Sequence, residues 1–230
     1  MGWSAFVKAR RDRNDCGNLQ FPHRANTYLR TIHKHGCPVR LHSKPWSKAK
    51  ITQALQRGPH QSCNNYIDFL KEEFADMIGK SQWVVLPFDL AKSLPNLTLS
   101  PPGVVPQWDR RPRWICDYSF SGINQDTVPL APLESMQYGN ALHRFLREIL
   151  LADPRHGTVY MLKLDISDGF YRINLAPADV PKLGVVFPTV KDQPPLVALP
   201  LVLPMGWKNN TELVDISWGQ IYAIKTIANV

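Results

Sequence analysis

The string Lys163-Leu164-Asp165-Ile166-Ser167-Asp168-Gly169-Phe170-Tyr171 is where residue type and spacing come nearest to a reaction centre. It follows an apolar run, Val159 to Leu164, that reads as a buried strand delivering Asp165 to its mouth. A carboxylate there is costly unless it meets a cation or hydrogen-bond donors. With a second carboxylate three residues on, the pattern suits divalent-metal nucleotidyl transfer. Mg2+ takes hard oxygen ligands, and a pair of ions clamps the attacking and leaving oxygens. The same residues also describe an ordinary Asp-Gly turn at a strand end, and on their own they leave both readings open.

Several elements must position that string. Ile67, Leu70, Phe74, Met77 and Ile78 recur at helical spacing, with Ser62 as a candidate N-cap and Gly79 as a candidate C-terminal stop. Gln82 to Pro87 reads as a strand. Gly103–Pro106 and Arg113–Tyr118 read as two more, joined by a turn that holds Asp109, Arg110 and Arg111. A second helix is expected from about Leu133 to Ala152, with Met136, Leu142, Phe145, Leu146, Ile149 and Leu150 as its apolar stripe. Asp153-Pro154 should end it. Further strands are expected near Leu183–Phe187 and Leu196–Leu203. Helices alternating with short strands predict an α+β fold with an antiparallel sheet.

The charge is uneven. Residues 1–60 carry twelve Lys/Arg against two Asp, whereas residues 61–230 carry fifteen against seventeen Asp/Glu. A basic segment ahead of a nearly neutral body is the electrostatic footprint of a nucleic-acid binder, and equally of a solvated tail. Residues 1–60 lack sustained periodicity and are expected to form a flexible basic arm, with 61–209 as the folded body and 210–230 as a divergent tail. Cys16, Cys37, Cys63 and Cys116 show no CxxC spacing, so free thiols are expected. Cys16, His33, His35 and Cys37 match no standard zinc spacing. The apolar stretch from Pro195 to Met205 is short and broken by Pro200 and Pro204, so it cannot span a bilayer and no membrane partner is expected. A cytoplasmic or nuclear location is the matching expectation.

Three motifs together resemble the reverse transcriptases (RNA-directed DNA polymerases) of retroelements. Lys163-Leu164-Asp165 with Gly169-Phe170 is similar to the family's first catalytic motif. Arg113-Trp114-Ile115-Cys116-Asp117-Tyr118, with Asn124 shortly after, is similar to its fingers motif. Leu203-Pro204-Met205-Gly206-Trp207 looks like its Leu-Pro-x-Gly motif, and the three stand in family order. The resemblance implies the fingers and partial palm of a right-hand polymerase. It implies that Asp165 binds catalytic Mg2+ and that Phe170 lies against the incoming sugar. Arg113, aided by Arg110 or Arg111, would contact the triphosphate. Asp168 would lie near that triphosphate, and Met205 and Gly206 beside the nascent pair. The implied partners are an RNA template, a DNA primer and dNTPs.

The family's next motif, Tyr-x-Asp-Asp, has no counterpart, because no Asp-Asp pair occurs in the chain. The pattern departs from the family at Asn210, as a truncation would make it. The resemblance therefore implies an incomplete polymerase site, lacking thumb and ribonuclease H, inactive by itself and marginally stable. The alternative is a non-catalytic nucleic-acid-binding remnant or a pseudogene product.

Overall fold

The computed structural model describes residues 2–10, 26–130, 138–153, 155, 157, 169–189 and 193–210. Three helices come first: α1 (Trp3–Arg10), α2 (Asn26–His35) and α3 (Lys48–Arg57). Helix α3 is bounded by its own chemistry. Ser47 Oγ accepts from Lys50 N at 3.2 Å, and Gly58, at φ 74°, returns its N–H to the carbonyls of Ala54 and Leu55.

Helix α4 (Ile67–Gly79) follows a 3-10 turn over Gln61–Tyr66. Leu70, Phe74 and Met77 are buried as their spacing predicts. Ser62 does not cap it. The Ser62 hydroxyl instead accepts from the backbone of Val104 at 3.1 Å, so a contact with a distant strand captures the group that local pattern assigned to the helix.

Strand β1 (Trp83–Pro87), the short helix α5 (Phe88–Ala91), β2 (Leu99–Ser100), β3 (Pro102–Gln107) and β4 (Arg110–Cys116) come next. They are followed by α6 (Ile123–Asp126), α7 (Tyr138–Leu151), β5 (Gly184–Phe187) and β6 (Leu196–Pro200). One four-stranded sheet has the order β1-β6-β5-β2, and β3 and β4 form a separate hairpin. β1 and β5 both pair antiparallel to β6, in registers Trp83↔Pro200 and Val185↔Ala198. β2 joins β5 in parallel, with Leu99 opposite Gly184, so the sheet is mixed rather than purely antiparallel. The apolar run that fills β6 fits an interior strand: Val197, Ala198 and Leu199 are wholly buried. The fold class is α+β, as expected.

Four rings knit the elements together. Phe74 on α4 lies 5.6 Å from Trp83 on β1, 4.9 Å from Trp114 on β4 and 4.9 Å from Phe187 on β5, centroid to centroid. Truncating a buried Phe of this kind costs about 3–5 kcal/mol.

Residues 26–60, expected as part of a flexible arm, carry α2 and α3 and contribute to the core. Ile32, Cys37, Val39, Ile51 and Ala54 are buried in the common core. Cys37 bridges Leu175 in parallel, its N–H donating to Asn174 O at 2.7 Å and its carbonyl accepting from Ala176 N at 2.8 Å. Leu41 bridges Thr127 antiparallel, and Val39 N donates to Asp179 Oδ2 at 3.0 Å. Gly36 is required at this crossing: at φ +87° a Cβ would stand 2.4 Å from Leu175 O. Helix α1 docks as well, with Val7 buried and the Trp3 indole donating to Pro177 O at 2.9 Å. Helix α3 buries Ile51 and Ala54 along one face, while Cys37 and Val39 meet residues 174–182 through hydrogen bonds.

Helix α7 also departs from expectation. Leu146, Ile149 and Leu150, members of the expected buried stripe, are exposed, Leu150 at 83 %. The Val159–Leu164 strand lies outside the described residues. Among the described residues no helix is long and apolar enough to cross a membrane.

Candidate functional site

The β3–β4 hairpin carries the three arginines. Val105 pairs with Arg113 and Gln107 with Arg110, so Arg111 and Pro112 together stand opposite Pro106. This is a β-bulge, and Pro112, having no N–H, suits an unpaired position. The consequence is directional. In a regular strand Arg111 and Arg113 would share a face. With one extra residue between the pairings, they go to different surfaces.

Arg111 turns to α4. Its Nη2 lies 2.9 Å from Glu73 Oε2, and its guanidinium sits 5.2 Å from the centre of the Phe69 ring. Phe69 and Glu73 stand one helical turn apart, so the arginine is held by stacking and charge together. Arg113 turns the other way and places Nη2 2.7 Å from Met205 Sδ. Arg110 is exposed near the hairpin tip, where Asp109 takes φ 56°, a conformation Asp tolerates. Expected as residues of the turn, Arg110 and Arg111 are in fact the first residues of β4.

The Met205-Gly206 turn is docked onto β4 and the segment after it. Gly206 has φ +101°, and a Cβ there would lie 2.6 Å from Cys116 O. Asn124 clamps the turn from outside. Its Nδ2 donates to Gly206 O at 3.0 Å and to Ser119 Oγ at 2.9 Å, while its Oδ1 accepts from Lys208 N at 2.9 Å. Below it the buried Trp207 indole donates to Thr127 Oγ1 at 3.0 Å. Asn209 Nδ2 donates to Val128 O at 3.0 Å, and Asn210 Nδ2 donates to Pro204 O.

Asp117 is structural. One carboxylate oxygen accepts from Phe120 N at 2.9 Å and the other lies 3.0 Å from His60 Nε2. Tyr118 is fully buried and donates to Leu183 O at 2.9 Å; burial first, and then the neighbouring Cys116, push its phenol well above the usual range. Phe170 begins a 3-10 turn and packs, half-buried, against the core. Its segment runs beside the Met205 loop, since Leu203 N donates to Ile173 O at 2.9 Å.

The structure thus brings together Arg113, Met205, Gly206 and the Asn124 clamp, and separates Arg111 from them. Asp165 and Asp168 lie outside the described residues. Sequence reasoning passed over Trp108, which is 98 % exposed at the hairpin tip. The signal was available: a lone Trp in the polar run Gln107-Trp108-Asp109-Arg110 has no periodic apolar neighbour to bury it.

The expected Mg2+ ligand Asp165 lies outside the described residues, so only the remaining residues bear on a metal centre here. A two-ion Mg2+ centre needs several hard oxygen ligands. Among the described residues no three His, Cys, Asp or Glu side chains gather where they could hold a metal. Of the sulfur and imidazole groups weighed for zinc, Cys16 is outside the described residues, and His33 and His35 are exposed. Cys37 is buried, its thiol pushed up to about 12, first by desolvation and then by the charge of Asp179.

No family model matches the chain, and no curated protein matches it.

Proposed function

We propose that this chain is a retroelement reverse-transcriptase-like module, fingers with a partial palm, that binds nucleic acid and deoxynucleotide without catalysing nucleotidyl transfer by itself. One observation carries the reading. Arg113 of the fingers-like motif and Met205 of the Leu-Pro-x-Gly-like motif, 92 positions apart, touch in the fold. Asn124, which belongs to the first of these segments, clamps the second. Two motifs that resemble parts of one nucleotide site are adjacent, as that reading requires.

The arginine's chemistry supports the same reading. A thioether is a weak acceptor, so the Arg113 guanidinium keeps its capacity for a stronger, bidentate anion such as a triphosphate. Phe170 is half-buried, in a segment whose Ile173 pairs with Leu203 just before the Met205 turn. The partners on this reading are an RNA template, a DNA primer and dNTPs. Absence of catalysis follows from the donor set: with Asp165 and no Asp-Asp pair, the chain is short of the carboxylates a two-ion site needs.

Primer extension on an RNA template with dNTPs and Mg2+, run beside Asp165→Asn, tests the catalytic half. No extension by either protein is expected, and extension lost in the variant would overturn it. Titration with a fluorescent dNTP at low salt tests the binding half. Saturable binding weakened by Arg113→Ala is expected, and a folded chain that binds neither dNTP nor nucleic acid would sink the reading.

A further inference from the structure

A second surface stands on the segment that was expected to be a flexible basic arm. From Cys16 to Ile67 the chain contains no Asp or Glu. Within the folded part of that span, Arg40, Lys44, Lys48, Lys50 and Arg57 are all exposed. Residues between Leu41 and Trp46 line a cleft of about 120 Å3, together with Asn96, Thr98 and Lys182. The Trp46 ring is half-buried in this lining, and Lys50 Nζ sits 4.0 Å from its centre.

We propose that this cleft seats one unpaired base of a single-stranded nucleic acid against Trp46, with Lys44, Lys48 and Lys50 holding the flanking phosphates. The inference rests on the reading of the chain as a nucleic-acid binder, but it concerns a site distinct from the Arg113–Met205 pair.

Charge, shape and competing contacts all bear on this site. The carboxylates that touch the cleft's lining residues, Asp126 and Asp179, are occupied. Asp126 accepts from Ser43 N at 2.8 Å and from Ser43 Oγ, and Asp179 holds Lys182 at 2.7 Å and Val39 N at 3.0 Å. Lys182 also donates to Val39 O at 2.7 Å, so it forms a fixed wall, and the exposed lysines of the loop and α3 remain to meet phosphate. The cleft volume is on the scale of one base and Trp46 is half-buried in its lining, which favours an unpaired base over one held in a duplex. Asn96, exposed at φ 58°, offers an amide with both donor and acceptor at the cleft edge. The lysine now over Trp46 is displaceable: base–aromatic stacking is the stronger of the two contacts, and the displaced ammonium gains a phosphate.

The test is fluorescence anisotropy of the full chain with a labelled twelve-nucleotide oligo-dT and with a labelled DNA hairpin duplex, across a salt series. Trp46→Ala should weaken oligo-dT binding on the order of tenfold, leave duplex binding unchanged and leave the salt slope unchanged. Trp46→Phe should retain most of the affinity. Lys44→Ala and Lys48→Ala, both at exposed positions, should each reduce the salt slope by about one while leaving the fold intact. Less than twofold loss in Trp46→Ala, or equal loss on oligo-dT and duplex, would overturn the proposal. If Trp46→Ala fails to fold by circular dichroism, Trp46→Phe and the two lysine variants decide. An unchanged salt slope in both lysine variants then rejects the site. Failure of the folded wild type to bind either probe at low salt would bring down the nucleic-acid reading as well. Binding to oligo-dT that ignores Trp46 brings down only this inference.

Discussion

The guanidinium of Arg113 rests on the thioether of Met205, Nη2 to Sδ 2.7 Å, and this contact joins the β3–β4 hairpin to the turn that follows β6. It rests on three features, two of the backbone and one side chain. The bulge at Arg111-Pro112 aims Arg113 away from α4. The glycine at 206 lets the turn approach Cys116 O, and Asn124 holds that turn in place.

The bulge predicts that the hairpin arginines are not interchangeable. If the proposed nucleotide site is right, Arg113→Ala should reduce dNTP affinity about tenfold, the scale of one lost charge-assisted contact, with little change in melting temperature. Arg113→Lys should recover only part of it, since a point charge lacks the guanidinium fork. Arg111→Ala should leave dNTP affinity nearly untouched and lower stability slightly, because its partners are Glu73 and Phe69. A dNTP titration and a thermal melt on each variant separate these outcomes; a larger affinity loss at Arg111 than at Arg113 would refute the geometry.

Asn124→Ala should cost about 2–3 kcal/mol, from three side-chain hydrogen bonds at roughly 0.5–1.5 kcal/mol each. Asn124→Asp keeps the acceptor for Lys208 N and loses both donors, so its loss should be smaller than that of alanine only where the new charge stays solvated. Urea unfolding with a common m-value measures both. An alanine variant as stable as wild type would show that the clamp is not formed in solution.

Gly36→Ala tests whether the basic segment is part of the core. The added Cβ would stand 2.4 Å from Leu175 O at a φ that L-residues avoid, so a penalty of at least about 2 kcal/mol is expected. Gly2→Ala, where a Cβ meets nothing within 4 Å, is the matched control and should be neutral. A flexible arm would show no difference between the two in urea.

Alkaline pH should destabilise the fold through its buried thiols. Burial raises Cys37 from 9.0 to about 12 and Cys63 from 9.0 to about 11, and raises Cys116 further. Each thiol holds its proton more tightly folded than unfolded, so this contribution is complete below pH 9. It is then lost as pH rises from about 9 through 11 and 12. Melting temperature should fall across that window, and alkylation at pH 8 followed by peptide mapping should leave Cys37, Cys63 and Cys116 unmodified in the native chain. Rapid labelling of Cys37 would contradict its burial.

The elements with strong local period were legible in the sequence. Helix α4 carries Leu70, Phe74 and Met77 at one-turn spacing, and β1, β5 and β6 are short apolar runs between turn residues. The hairpin was legible too, because Pro, Asp and Arg punctuate two apolar strands. The sequence by itself determined these because each depends on neighbours a few positions away.

Tertiary structure alone decided the rest. Whether Arg111 or Arg113 faces the Met205 turn depends on one unpaired residue, and a bulge is a property of two strands, not of one. Ser62 was lost as a cap because Val104 N, far along the chain, reached its hydroxyl. The basic segment joined the core as the backbone groups of Cys37 and Val39 found hydrogen-bond partners among residues 174–182, which no local pattern could announce. Local periodicity records which face of an element is apolar. Which distant backbone meets that face is settled only when the chain closes on itself.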